Sequence, residues 1–109
     1  VVVEPMKQNI FFALNSALLQ EDQQSKIDAM VAYMEKYPAS KVAITGYADK
    51  ETGNPRINMT LSEKRAKIVA DALKAKGIAA DRIVTDFKGD TVQPFRVPEE
   101  NRVSVCIAE

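Results

Sequence analysis

With 109 residues, 46% hydrophobic and 28% charged, the chain has the size and make-up of one globular domain with a modest core. Fifteen basic and fifteen acidic residues cancel, so no net field draws it to nucleic acid or anionic lipid, and any recognition rests on a few placed charges. The absence of histidine removes the usual general base and the commonest metal ligand. A lone cysteine, Cys106, excludes an internal disulfide and a thiolate metal cluster and reads as a small buried hydrophobe. No metal and no cofactor is expected.

No apolar run approaches the roughly 20 residues of a membrane helix, so no direct membrane insertion of this domain is expected. No signal-peptide pattern is expected within this stretch, whose first residue is Val1 rather than Met. The expectation is a single domain over 1–109, excised from a longer protein, with its core over about 7–108. Residues 1–6 are then a linker or an edge strand, because Pro5 cannot sit inside a sheet.

The first strand is expected over Lys7 to Asn15, with Ile10, Phe12 and Leu14 on one face and Phe11 and Ala13 on the other. Apolar residues on both faces suggest an interior strand. A helix follows over Gln20 to Lys36, its stripe formed by Ile27, Met30, Val31 and Met34, stopped by Tyr37-Pro38. The second strand is Lys41 to Tyr47. Asp49 to Ile57 reads as a loop with Gly53-Asn54-Pro55 at its middle.

The second helix is expected from about Asn58 or Thr60 to Lys76, with Thr60 and Glu63 as a capping box. Leu61, Ile68, Val69, Ala72 and Leu73 give its stripe, and Gly77-Ile78 its left-handed end. The third strand is Arg82 to Lys88, with Ile83, Thr85 and Phe87 on one side. Gly89 to Glu99 is an irregular connection, and Asn101 to Ala108 the last strand, its face set by Val103, Val105 and Ile107. The fold class is an α/β two-layer sandwich, β-α-β-α-β-β, with two helices on one face of a four-stranded mixed sheet.

One residue does not fit as packing. Arg65 falls inside the apolar stripe of the second helix, where a guanidinium keeps its charge and needs a carboxylate or an exit to water. Asp49, just after the second strand, is the acid that would meet it. Each also has a simpler reading: Asp49 as the cap of its own turn, the two as an internal ion pair, and Asn58 as a helix cap.

Gly46-Tyr47-Ala48-Asp49, Gly53, Asn58, Leu61-Ser62 and Arg65-Ala66 together resemble the signature of the OmpA-like C-terminal, peptidoglycan-binding domain family. Phe11 to Ser16 is similar to the family's first strand, and Gly77-Ile78 with Asp81-Arg82-Ile83 to its second-helix exit. The resemblance runs from about residue 7 to 107. It implies non-covalent, non-catalytic binding of peptidoglycan through the diaminopimelate of the stem peptide, in the periplasm. There the domain would anchor the outer membrane, to which it is attached through a part outside this sequence.

By the same resemblance Asp49 and Arg65 would grip the ammonium and carboxylate at the free end of diaminopimelate. Asn58, Asn15, Thr52 and Ala48 would add contacts, and Leu61 an apolar wall. Near the end the family reads Asn-Arg-Arg-Val, whereas this chain has Glu100-Asn101-Arg102-Val103, so Arg102 is the remaining candidate there.

Other function classes fare worse. Ser62-Lys64 and Ser25-Lys26 do not place a serine and a lysine facing each other on a helix as a nucleophile pair, and no two carboxylates stand out for glycoside hydrolysis. A nucleic-acid module would need exposed sheet aromatics in a basic surround. The alternative kept is an OmpA-like fold that has lost its ligand and serves as a periplasmic protein-interaction module.

Overall fold

The computed structural model describes residues 4–14, 16–51 and 53–109. The elements in order are β1 (Met6–Phe11), α1 (Gln24–Lys36), β2 (Val42–Gly46), α2 (Pro55–Ala75), β3 (Ile83–Phe87) and β4 (Val103–Ala108). Short 3-10 turns precede α1, β3 and β4. The four strands form one sheet in the order β1-β4-β2-β3. β2 runs parallel to β3 and antiparallel to β4, and β1 runs antiparallel to β4. The two helices cover one face of this mixed sheet, so the two-layer sandwich expected from the sequence is the fold observed. The reading of 1–3 as linker or strand lies outside the described residues.

β1 is an edge strand, not an interior one. Its two-sided apolar character has another cause: Phe11, on the face away from the helices, lies under the Lys26 ammonium at 4.5 Å and beside the Phe95 ring at 6.2 Å. The free edge is also closed. Gln23 Oε1 accepts from the Phe11 N–H at 3.0 Å, and Lys26 Nζ donates to the Asn9 carbonyl at 2.6 Å. These side chains satisfy backbone groups that would otherwise template another strand. Burial lowers the pKa of Lys26, and Asp22 partly offsets this.

β1 also ends at Phe11, well short of Asn15. The Phe12 N–H still reaches the Arg102 carbonyl, but the carbonyls of Ala13 and Ser16 turn toward Arg65 instead of continuing the ladder.

β4 is central, and its helix-covered face is not the one expected. Ser104, Cys106 and Ala108 stand opposite Gly46, Ile44 and Val42 on that face, whereas Val103, Val105 and Ile107 point the other way. Small residues there let the helices approach closely. Cys106 is buried, and burial pushes its thiol up to about 12, the inert behaviour expected of it.

α1 keeps its four-residue stripe, with Ile27, Met30, Val31 and Met34 buried. Only its start differs, the first residues forming a 3-10 turn over Glu21–Gln23.

α2 starts earlier than expected. Asn54 is its N-cap, accepting from the Ile57 N–H at 2.9 Å, and Pro55 occupies the first turn. Asparagine followed by proline is a start signal as well as a turn signal, because proline's missing N–H costs nothing there. Thr60 lies within the helix, its hydroxyl donating to the Arg56 carbonyl, so it is no capping box. The C-terminal end is as expected: Gly77, at φ 99°, donates to the Lys74 carbonyl and Ile78 to the Leu73 carbonyl.

The buried stripe of α2 is turned from the expected one. It comprises Asn58, Ser62, Arg65, Ala66, Val69, Ala70 and Leu73, leaving Leu61, Ile68 and Ala72 half-buried. The reason is close docking. Gly46 lies so near the helix that an added Cβ would collide with the Ser62 carbonyl, and the Ser62 hydroxyl accepts from the Gly89 N–H at 2.8 Å.

Candidate functional site

Beyond β2 the backbone is carried over the sheet's end by two last backbone hydrogen bonds, one to the start of β4 and one to the segment after β3. Tyr47 donates to the Val103 carbonyl and Ala48 to the Gly89 carbonyl, both at 2.8 Å. Asp49 thereby arrives 1% exposed, with Ala48 equally buried beside it. Its Oδ2 accepts from Arg102 Nε at 2.7 Å, an ion pair between residues 53 positions apart, with the Arg102 side chain 17% exposed.

Arg65, 1% exposed, reaches the same region from the middle of α2. Its Nε donates to the Ser16 carbonyl at 2.9 Å, Nη1 to the Tyr47 carbonyl at 2.8 Å and Nη2 to the Ala13 carbonyl at 3.3 Å. The guanidinium lies 5.5 Å from the Phe12 ring centroid. One side chain thus ties the segment after β1 to the segment after β2.

Burial lowers its pKa to about 10, the Asp49 carboxylate acting to raise it and Arg102 to lower it. It remains a cation at neutral pH. The charge-in-the-core problem posed by the sequence is solved mainly by carbonyls, with Asp49 acting through its field.

Asn58, 2% exposed, sits inside α2 and is not its cap. Its Nδ2 donates to the Asp49 carbonyl at 3.3 Å and to Asp90 Oδ2 at 3.0 Å. Two carboxylates and two guanidiniums are therefore gathered here with an amide between them. A locally neutral cluster of both signs is the complement of a zwitterion. Leu61 is half-buried and lines an open groove of about 490 Å³ along α2 with Arg56, Ile57, Thr60 and Lys64. Asn15 and Thr52 lie outside the described residues.

Sequence reasoning named Asp49, Arg65 and Asn58 but missed the part played by the irregular connection after β3. Asp90 and Gln93 bond into the site, and Asn101 holds Gln93 from behind. The available signal was three polar side chains in a stretch whose backbone has no ladder to satisfy it. Among the described residues, no group of three or more His, Cys, Asp and Glu side chains could hold a metal ion.

Residues 11–103 match the OmpA family, and the chain belongs to that family. It is 36% identical over 99 residues to outer membrane protein 40 of Porphyromonas gingivalis, a match covering 91% of this chain and 26% of that protein. It is 31% identical over 100 residues to a peptidoglycan-associated lipoprotein of Brucella melitensis, covering 92% of this chain and 54% of that one. The chain spans about a quarter and about half the length of these two relatives. In structure it is similar to the peptidoglycan-associated lipoprotein from Burkholderia pseudomallei, with a TM-score of 0.86 and 21% identity. That superposition covers 93% of this chain and 89% of the other, and it establishes the shared fold.

Proposed function

We propose that this domain binds peptidoglycan non-covalently and without catalysis, in the periplasm, as the wall-binding part of a longer outer-membrane-attached protein. Family membership and the relative named a peptidoglycan-associated lipoprotein support that reading. The finer reading is that the ligand is the diaminopimelate of the stem peptide. One observation carries it: the buried Asp49 carboxylate with the Arg102 and Arg65 guanidiniums around it.

The free end of diaminopimelate bears an ammonium and a carboxylate on one carbon. Asp49 would take the ammonium and Arg65 the carboxylate by charge-assisted hydrogen bonds. Asn58 and Arg102 would complete the polar shell, with Asn15, Thr52 and Ala48 as further contacts and Leu61 as the apolar wall. A fixed pair of opposite charges needs little reorganisation on binding, which favours affinity.

A second reading has one observation in its favour. Arg102 already engages Asp49 and three backbone carbonyls already engage Arg65, an arrangement that also suits a ligand-free protein-interaction module.

Calorimetric titration with a diaminopimelate-containing stem peptide, with sedimentation on purified sacculi, separates the two. Hydrogen bonds to charged groups are worth about 1.5–3 kcal/mol, so Asp49→Ala and Arg65→Ala, checked for folding, should each weaken binding about ten-fold or more. No heat and no co-sedimentation for the wild-type domain would leave the interaction module.

A further inference from the structure

Gln93 stands in the connection between β3 and β4, where the sequence suggests only an irregular loop. Its side-chain amide brackets Asp49. Nε2 donates to the Ala48 carbonyl at 3.0 Å, and Oε1 accepts from the Lys50 N–H at 3.3 Å. An amide that takes a C=O from the residue before and an N–H from the residue after does what a neighbouring strand residue would do. Among the described residues no strand lies there: β2 ends at Gly46 and β3 at Phe87.

The same amide is held from behind. Nε2 is shared with the carbonyls of Asp90 at 3.2 Å and Val92 at 3.1 Å, and Oε1 accepts from Asn101 Nδ2 at 2.9 Å. Three carbonyls surround the nitrogen and two N–H donors the oxygen, which fixes the orientation of the amide. Asn101 in turn clasps Phe95, accepting from its N–H at 2.8 Å and donating to its carbonyl at 3.0 Å. The next residue is Arg102, whose guanidinium grips the Asp49 carboxylate.

We propose that Gln93 is the positioning residue of this site: it sets the backbone at Asp49 in register with Arg102. It acts through Asp49 and touches no ligand; its effect on affinity rests on the peptidoglycan-binding reading, while its effect on Asp49 does not. The ladder's last backbone bond here is that of the Ala48 N–H to the Gly89 carbonyl, which leaves the Ala48 carbonyl and the Lys50 N–H to the Gln93 amide. Without it the Ala48 carbonyl and the Lys50 N–H lose the hydrogen bonds that stand in for a ladder, and the carboxylate between them loses its fixed place.

The test has a ligand-free arm and a binding arm, both on the 109-residue chain. Gln93→Met keeps length and removes both hydrogen-bonding ends. Gln93→Glu keeps the acceptor but turns a carboxylate toward three carbonyls, and serves should the first variant fold poorly. By nuclear magnetic resonance, the Lys50 amide should exchange about ten-fold faster or more, and the Arg102 Nε–H signal should move toward that of free arginine. Both signals unchanged in a folded variant overturn the proposal.

In the binding arm, Gln93→Met should weaken stem-peptide binding about ten-fold and add nothing to the loss caused by Asp49→Asn. An equal further loss in the Asp49→Asn background overturns action through Asp49. A wild-type chain that ignores the peptide sinks the peptidoglycan reading alone, since the resonance arm still judges Gln93.

Discussion

Among the described residues, Arg65 and Arg82 are both held by backbone carbonyls, and they do different work. Arg82, at the end of the sheet away from the site, donates to the Met34, Tyr37 and Ser40 carbonyls and to the Ser40 hydroxyl, all within 2.8–3.1 Å. These are the last carbonyls of α1 and those just beyond it, the negative end of a helix with no intrahelical donors left. Arg82 is a cap. Arg65 also donates to three carbonyls, but they belong to two loops, and two further charged groups, Asp49 and Arg102, act on it. A guanidinium on carbonyls is structural where a helix end supplies the compensating charge. It becomes a candidate site where a carboxylate does.

The largest expected effect is that of Arg65→Ala. It strands three carbonyls and leaves Asp49 without one of its two cations, so the domain should lose roughly 3–5 kcal/mol in urea unfolding along with its ligand. Next comes Asp49→Asn, nearly isosteric, which should cut stem-peptide affinity about ten-fold or more by calorimetry while the fold persists. A binding loss as large in Arg82→Ala would erase the distinction between the two ends. That variant should instead cost about 1–2 kcal/mol of stability, through the lost helix cap, and should leave affinity untouched.

Gly77→Ala, near the Arg82 end, should cost about 1 kcal/mol. The Cβ meets no neighbouring atom, and the penalty comes from φ 99° alone.

The smallest effect is that of pH. Burial lowers the folded-state value of Arg65 from the ordinary guanidinium range to about 10. Between these values the unfolded chain binds more protons, so this group's contribution to stability rises with pH only in that alkaline window. Its charge is constant near neutrality, so calorimetric stem-peptide affinity of the unaltered domain should show no step from Arg65 between about pH 6 and 8.

Much of this was legible beforehand where the chemistry is local. The stripe of α1, the stop at Tyr37-Pro38 and the left-handed exit at Gly77-Ile78 all follow from side chains a few residues apart. Asn54-Pro55 carries its helix start just as locally, but the same two residues also serve as a turn signal, so the sequence alone does not separate the two. The α2 stripe was misplaced for a different reason. Apolar spacing points to Leu61, Ile68 and Ala72, whereas close docking on Gly46 selects small and polar residues, Ser62 and Asn58 among them.

The sequence by itself determined the order of strands and helices, the family pattern around Asp49 and Arg65, and the presence of a cation in the helical stripe. Only the tertiary structure decided that β4 is central, that β1 is an edge, that Arg102 is a partner of Asp49, and that Gln93 supports the backbone between them. Helix signals arise from hydrogen bonds between near neighbours, so they are written in adjacent residues. The site is closed by pairs 43 to 53 residues apart, and such pairs exist only once the sheet order has brought their chain segments to the same end of the molecule.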